Sequence, residues 1–169
     1  MKKALFLSAD NFEDTELLVP YYRLIEAGFS VDVASLNRNP IRGKHGYEVA
    51  VDKTFDEINP AEYDILVLPG GKAPAAIRSE PKVKDIARFF FQNSRPVAAI
   101  CHGPQILASA GLLHGRRATC YKEVVHELQE VGAHYEDSEV VVDGLLVTSR
   151  EPRDLPAFSR EMIKLVLHA

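Results

Sequence analysis

Short apolar runs alternate along this chain with segments of helical periodicity, and that rhythm leaves few folds open. Lys3 to Ala9, Ser30 to Leu36, Asp64 to Leu68 and Val97 to Cys101 each read as a buried strand. Residues 14–27 carry Leu17, Leu18, Tyr21, Leu24 and Ile25 at helical spacing, with Gly28 where a helix-ending glycine belongs. Pro20 falls inside that pattern and predicts a kink or a loosened first turn. Val83, Ile86, Ala87, Phe89 and Phe90 give a second helix over 81–93, and a third spans 104–110, closed by Gly111. Gly43 and Gly46, followed by Tyr47, Val49, Val51 and Phe55, predict a small hairpin within 41–55. The last third suggests a strand at 118–121 and a helix at 122–131. A hairpin over 140–149, turning at Asp143-Gly144, and a closing helix over 154–168 complete it. Strands apolar on both faces, alternating with amphipathic helices, imply an α/β fold: a doubly wound parallel sheet sandwiched by helices. The sequence has no repeat or linker, and 169 residues suit a single domain over 1–169.

Composition narrows function mainly by exclusion. Twenty basic against twenty-four acidic side chains leave a net charge of −4, which disfavours phosphate-backbone binding as the main activity. Two cysteines, Cys101 and Cys120, are too few for a disulfide framework, and no C-x-x-C pair suggests zinc or disulfide exchange. The histidines lack metal-ligand spacing, so no metal is expected; the cysteine chemistry considered below requires no organic cofactor either. No apolar run is long enough to span a bilayer. The apolar stretch after Lys2-Lys3 ends at Asp10, too soon for a secretory leader, so a cytoplasmic location is expected.

In doubly wound sheets, ligands bind beyond the carboxyl ends of the strands. Reactive residues meet that edge in three places. At Ala99-Ile100-Cys101-His102-Gly103 a strand runs straight into a helix with cysteine at the corner, the spacing of a nucleophile elbow. Pro104 opens the helix, whose first amides would favour a thiolate and lower the cysteine pKa. The competing reading of Cys101 is a small buried apolar residue. The loop Asp10-Asn11-Phe12-Glu13-Asp14 offers carboxylates to the same edge. Asp14 and Glu16 read as ordinary first-turn acids, and spacing alone does not single out Glu13. Leu68-Pro69-Gly70-Gly71 could offer N–H groups as an oxyanion hole, or simply turn the chain. It matches neither a Walker loop nor G-x-G-x-x-G. Cys120 stays unassigned.

Four passages together resemble the PfpI-type intracellular protease and protein deglycase family. These are relatives of the Parkinsonism-associated deglycase within the class I glutamine-amidotransferase-like superfamily. The passages are Phe12-Glu13-Asp14-Thr15-Glu16-Leu17, Leu66-Val67-Leu68-Pro69-Gly70-Gly71, Ala99-Ile100-Cys101-His102-Gly103-Pro104-Gln105 and Val147-Thr148-Ser149-Arg150. Gly43-Lys44-His45-Gly46 extends the likeness into the predicted hairpin. The resemblance implies a flavodoxin-like fold with Cys101 as nucleophile and His102 as its acid/base partner. It further implies that Glu13 is a protonated carboxylate touching the sulfur, and that the amides of Gly71 and His102 form an oxyanion hole. It also implies a homo-oligomer, dimer or hexamer, with the site near a subunit interface.

One departure bears on activity. The protease-like branch carries an acidic residue after Ala-Pro, reaching a neighbouring subunit's histidine to complete a triad, whereas this chain reads Ala73-Pro74-Ala75. A histidine without an orienting group is a poorer base. The leading expectation is therefore a cysteine-dependent deglycase or glyoxalase-like hydrolase in stress protection. Its substrates would be small carbonyl compounds or glycated amines, and nucleic acid only as a glycated substrate. An oligomeric cysteine peptidase acting on peptides is the alternative. A redox-sensing or chaperone-like stress protein, with Cys101 oxidised, is a further one.

Overall fold

The computed structural model describes residues 1–168. Its centre is a seven-stranded sheet whose inner strands are almost wholly buried, as continuous apolar runs require. Along the chain the elements are β1 (Lys3–Leu7), α1 (Asp14–Glu26), β2 (Ser30–Ser35), β3 (Ile41–Arg42), β4 (Glu48–Val49), β5 (Lys53–Thr54) and β6 (Ile65–Leu68). They continue with α2 (Ala73–Ile77), α3 (Pro81–Gln92), β7 (Val97–Ile100), α4 (Pro104–Ser109), β8 (Arg117–Ala118), α5 (Val125–Glu130) and β9 (His134–Tyr135). Last come β10 (Val141–Asp143), β11 (Leu146–Ser149) and α6 (Leu155–His168).

The strand order is β10-β11-β7-β6-β1-β2-β5, parallel throughout except for the antiparallel β10–β11 edge. From β1 the chain moves outward to β2; from β6 it moves the other way, to β7 and β11. The direction therefore reverses between β1 and β6, and a crevice opens there beyond the strand ends. Helices α1 and α6 pack on each other, while α4 packs with α2, α3 and α5. The arrangement is the flavodoxin-like sandwich expected from the sequence, with a parallel-dominant, mixed sheet.

Several local expectations change. Helix α1 runs through Pro20 unbroken, with the ring buried on the core side. The 41–55 segment divides: β3 pairs with β4, but Lys53–Thr54 leaves the hairpin and extends the main sheet parallel to β2. The strand expected at 118–121 is the two-residue β8, paired in parallel with β9 in a separate small sheet. Residues 122–131 form a 3-10 turn followed by the short α5. The late hairpin pairs Asp143 with Leu146, so Gly144, at φ 60°, and Leu145 make its turn. No helix among the described residues is long and apolar enough to cross a membrane.

Candidate active site

Cys101 stands at the end of β7 with φ 66°, a left-handed conformation that a side chain adopts only under constraint. The constraint is visible on both sides of the residue. Its N–H donates to Ser149 O on β11 at 3.0 Å, and its carbonyl accepts from Tyr121 N–H at 3.0 Å. Two positions later the chain passes so close to β6 that a Cβ on Gly103 would lie 2.2 Å from Leu68 O. Only glycine fits, as the elbow spacing anticipated.

The carboxylate beside the sulfur is Glu16, and this corrects the assignment of Glu13. Glu16 is the third residue of α1 and fully buried; its carboxyl lies beside Cys101 across Gly70. Its Oε1 accepts the Gly70 N–H at 3.0 Å, and no other donor reaches its buried Oε2. A Cβ at position 70 would fall 2.4 Å from Glu16 Oε1 and 2.7 Å from Cys101 Cβ, so glycine there lets the two groups meet. Glu13, one turn earlier at the start of α1, faces the hairpin instead. It ion-pairs with Lys44 Nζ at 3.2 Å and contacts His45 Nε2 at 3.1 Å. The sequence held a signal for this. Glu16 shares one helical stripe with Leu17, Pro20 and Leu24, all buried, and an acid on such a stripe is buried too.

Burial pushes the Glu16 carboxyl up to about 8, reinforced by the nearby Glu13 charge and opposed by the Gly70 N–H. It is therefore protonated at neutral pH. The sequence expectation of a lowered Cys101 pKa is reversed: burial, then the Glu16 charge, push the thiol well up. The backbone N–H groups of Gly71 and His102 pull it back. With Glu16 protonated, its charge drops out, and the remaining contest is between burial and these amides. These are the two amides that the family resemblance assigns to an oxyanion hole.

His102 Nδ1 lies 3.2 Å from Cys101 Sγ, and its ring tilts over Tyr121 at a centroid distance of 5.1 Å. Burial lowers its pKa, with Glu123 acting the other way. Among the described residues no carboxylate hydrogen-bonds to this imidazole. Glu13, Glu16, Lys44, Gly71, Ala75, Cys101 and His102 line one cleft of about 780 Å³. No cluster of three His, Cys, Asp or Glu side chains among the described residues is placed to hold a metal. Cys120 lies apart, fully buried, its thiol pushed by burial up to about 12.

A model of the DJ-1/PfpI family matches residues 2–165. Deglycase PH1704 of Pyrococcus horikoshii is 54% identical over 164 residues, 97% of this chain and 99% of that one. Protein/nucleic acid deglycase 2 of Escherichia coli is 42% identical over 168 residues, 98% of each chain. The crystal structure of Drosophila melanogaster DJ-1beta is similar with a TM-score of 0.89 at 30% identity, covering 98% of this chain and 90% of that one.

Proposed function

The chain belongs to the DJ-1/PfpI family, and on that premise we propose that it is a cysteine-dependent deglycase, a hydrolase acting on amine and thiol adducts of glyoxal or methylglyoxal. The observation that carries this reading is the buried pair of Cys101 and a protonated Glu16 at the base of an open cleft. In it, Sγ adds to the substrate carbonyl carbon, breaking the C=O π bond, and the Gly71 and His102 amides receive the oxyanion. Glu16 supplies a proton to that oxygen. With the adduct's C–N bond broken to free the amine, His102 moves the carbon-bound proton of the hemithioacetal to the neighbouring carbon, giving a 2-hydroxyacyl thioester. Water then cleaves its Sγ–C bond, so that adduct plus water becomes free amine, a 2-hydroxy acid and the regenerated thiol. No outside oxidant is needed, because one substrate carbon is oxidised as its neighbour is reduced.

Incubating the protein with methylglyoxal-treated N-acetyl-lysine, and following lactate and released amine, tests this. Cys101→Ala and Glu16→Gln should each lower the rate at least ~100-fold, the usual range for a nucleophile or proton donor. Equal rates in all three proteins overturn the reading. A peptidase is the weaker reading. Alanine at position 75 lines the cleft where the protease-like pattern has an acid, so position 75 has no carboxylate with which to orient a neighbouring subunit's histidine. Cys101-dependent cleavage of peptide amides, enhanced by Ala75→Glu, would favour it. The functional unit is proposed to be a homo-oligomer, checked by light scattering.

A further inference from the structure

Glu13 leaves the sulfur to Glu16, and what it holds instead is a cation. The segment 43–47 is tied down along its length. Gly43 N–H donates to Tyr47 O at 2.9 Å, and Lys44 N–H to Phe12 O at 2.9 Å. The Asp14 carboxylate accepts the N–H groups of His45 and Tyr47 at 2.9 and 3.0 Å. Above this clasp, Glu13 takes the Lys44 ammonium with one oxygen at 3.2 Å and His45 Nε2 with the other at 3.1 Å. A lysine normally roams through many rotamers; this one is preorganised in the wall of the cleft that holds Cys101. Its charge acts on Cys101 and on Glu16. The side chain remains 42% exposed, and an ammonium has three donors of which Glu13 uses one. Lys72, Glu123 and Glu151 also line the cleft; the Glu123 charge is felt at His102, and among the described residues no side-chain partner tethers Lys72.

We propose that Lys44 is a specificity-determining residue: it binds the carboxylate of an anionic substrate whose reacting carbon lies over Cys101 Sγ, with Glu13 and Asp14 as positioning residues. The favoured ligands are 1,2-dicarbonyl compounds that also carry a carboxylate, so that a neighbouring carbonyl remains to be reduced, and the hydroxy-acid product would sit on the same ammonium. The proposal rests on the deglycase reading for its chemistry, but its recognition step can be measured without turnover.

The test compares alkylation of Cys101 by iodoacetate, which is anionic, and by iodoacetamide, which is neutral. In each, Sγ displaces iodide to form a thioether, located by peptide mass spectrometry to separate Cys101 from Cys120. The ratio of the two rates at one pH cancels the thiolate fraction. Lys44→Met should lower the iodoacetate-to-iodoacetamide ratio about fivefold, as expected for one half-exposed charge in the same cleft as the sulfur. Lys44→Arg should restore it, and the wild-type ratio should fall as salt is raised. In turnover, Lys44→Met should raise KM for an adduct of a carboxylate-bearing 1,2-dicarbonyl more than for a methylglyoxal-derived one, with kcat changed less. A ratio unchanged by Lys44→Met in a folded protein overturns the proposal and leaves the clasp a purely structural device. A Lys44-dependent ratio in a protein that turns over no adduct supports anion recognition while refuting the deglycase reading.

Discussion

Replacing Glu16 with glutamine removes an ionisation that the fold suppresses. Glutamine keeps the acceptor for Gly70 N–H and is close to the carboxylic acid in shape, so packing changes little. The energetic difference comes from the unfolded chain, where a glutamate ionises from 4.5 upward while the buried one holds its proton to about 8. The folded pKa is raised, so the stability tied to this proton is complete below 4.5 and lost as pH rises to about 8. At about 1.36 kcal/mol per unit, wild type has lost about 3 kcal/mol by pH 7 and about 5 by pH 8. The Gln variant has lost nothing. Urea unfolding of both proteins at a series of pH values reads the difference directly, and other titrating groups cancel. The variant should match wild type at about pH 4, gain about 3 kcal/mol by about pH 7, and level off above about pH 8. Its deglycase rate should meanwhile collapse. A stability difference that stays flat with pH would show that Glu16 ionises normally, and the proton-donor role would go with it.

Other perturbations probe the supports of the site. Asp14→Ala strips the acceptor from two backbone N–H groups and should cost about 1–3 kcal/mol in urea unfolding. Burial pushes the Asp14 carboxyl up, but those N–H groups more than offset it and hold it below its ordinary 3.8. Its contribution is therefore complete above 3.8 and lost as pH falls further, seen as a steeper fall of Tm in acid for wild type than for the variant. Gly70→Ala would place a methyl between Glu16 and Cys101 and should abolish turnover, while circular dichroism still reports the sheet. Arg150→Met leaves Asp154, 2% exposed, without its guanidinium partner and should cost about 2–4 kcal/mol by thermal unfolding.

What could be read from the sequence depended on how local its cause was. The elbow was legible because small-x-Cys-x-Gly encodes its own geometry, down to the approach of Gly103 to Leu68. The sheet was legible because buried strands such as Val97–Ile100 leave no polar face. The choice between Glu13 and Glu16 was not settled by the order of residues. It depends on how the turn at Asn11, with φ 64°, aims the first turn of α1 past Gly70, and only the assembled crevice sets that. Pairings as brief as Lys53–Thr54 with β2, or β8 with β9, carry no periodicity at all. The direction of the Cys101 shift was missed because the helix start is visible in sequence, whereas the burial that outweighs it is a property of the packed site.

The brace between Cys101 and Ser149 sets an order of events during synthesis. β7 leaves the ribosome well before β11, and until β11 pairs alongside it the cysteine has no acceptor holding its N–H in the elbow. An emerging chain therefore carries an ordinary unpoised thiol. Contacts of such sequence separation form late in folding. Recovery of activity after denaturation should accordingly report the arrival of the last parallel strand, and the elbow that holds the proposed nucleophile is set only by completion of the fold itself.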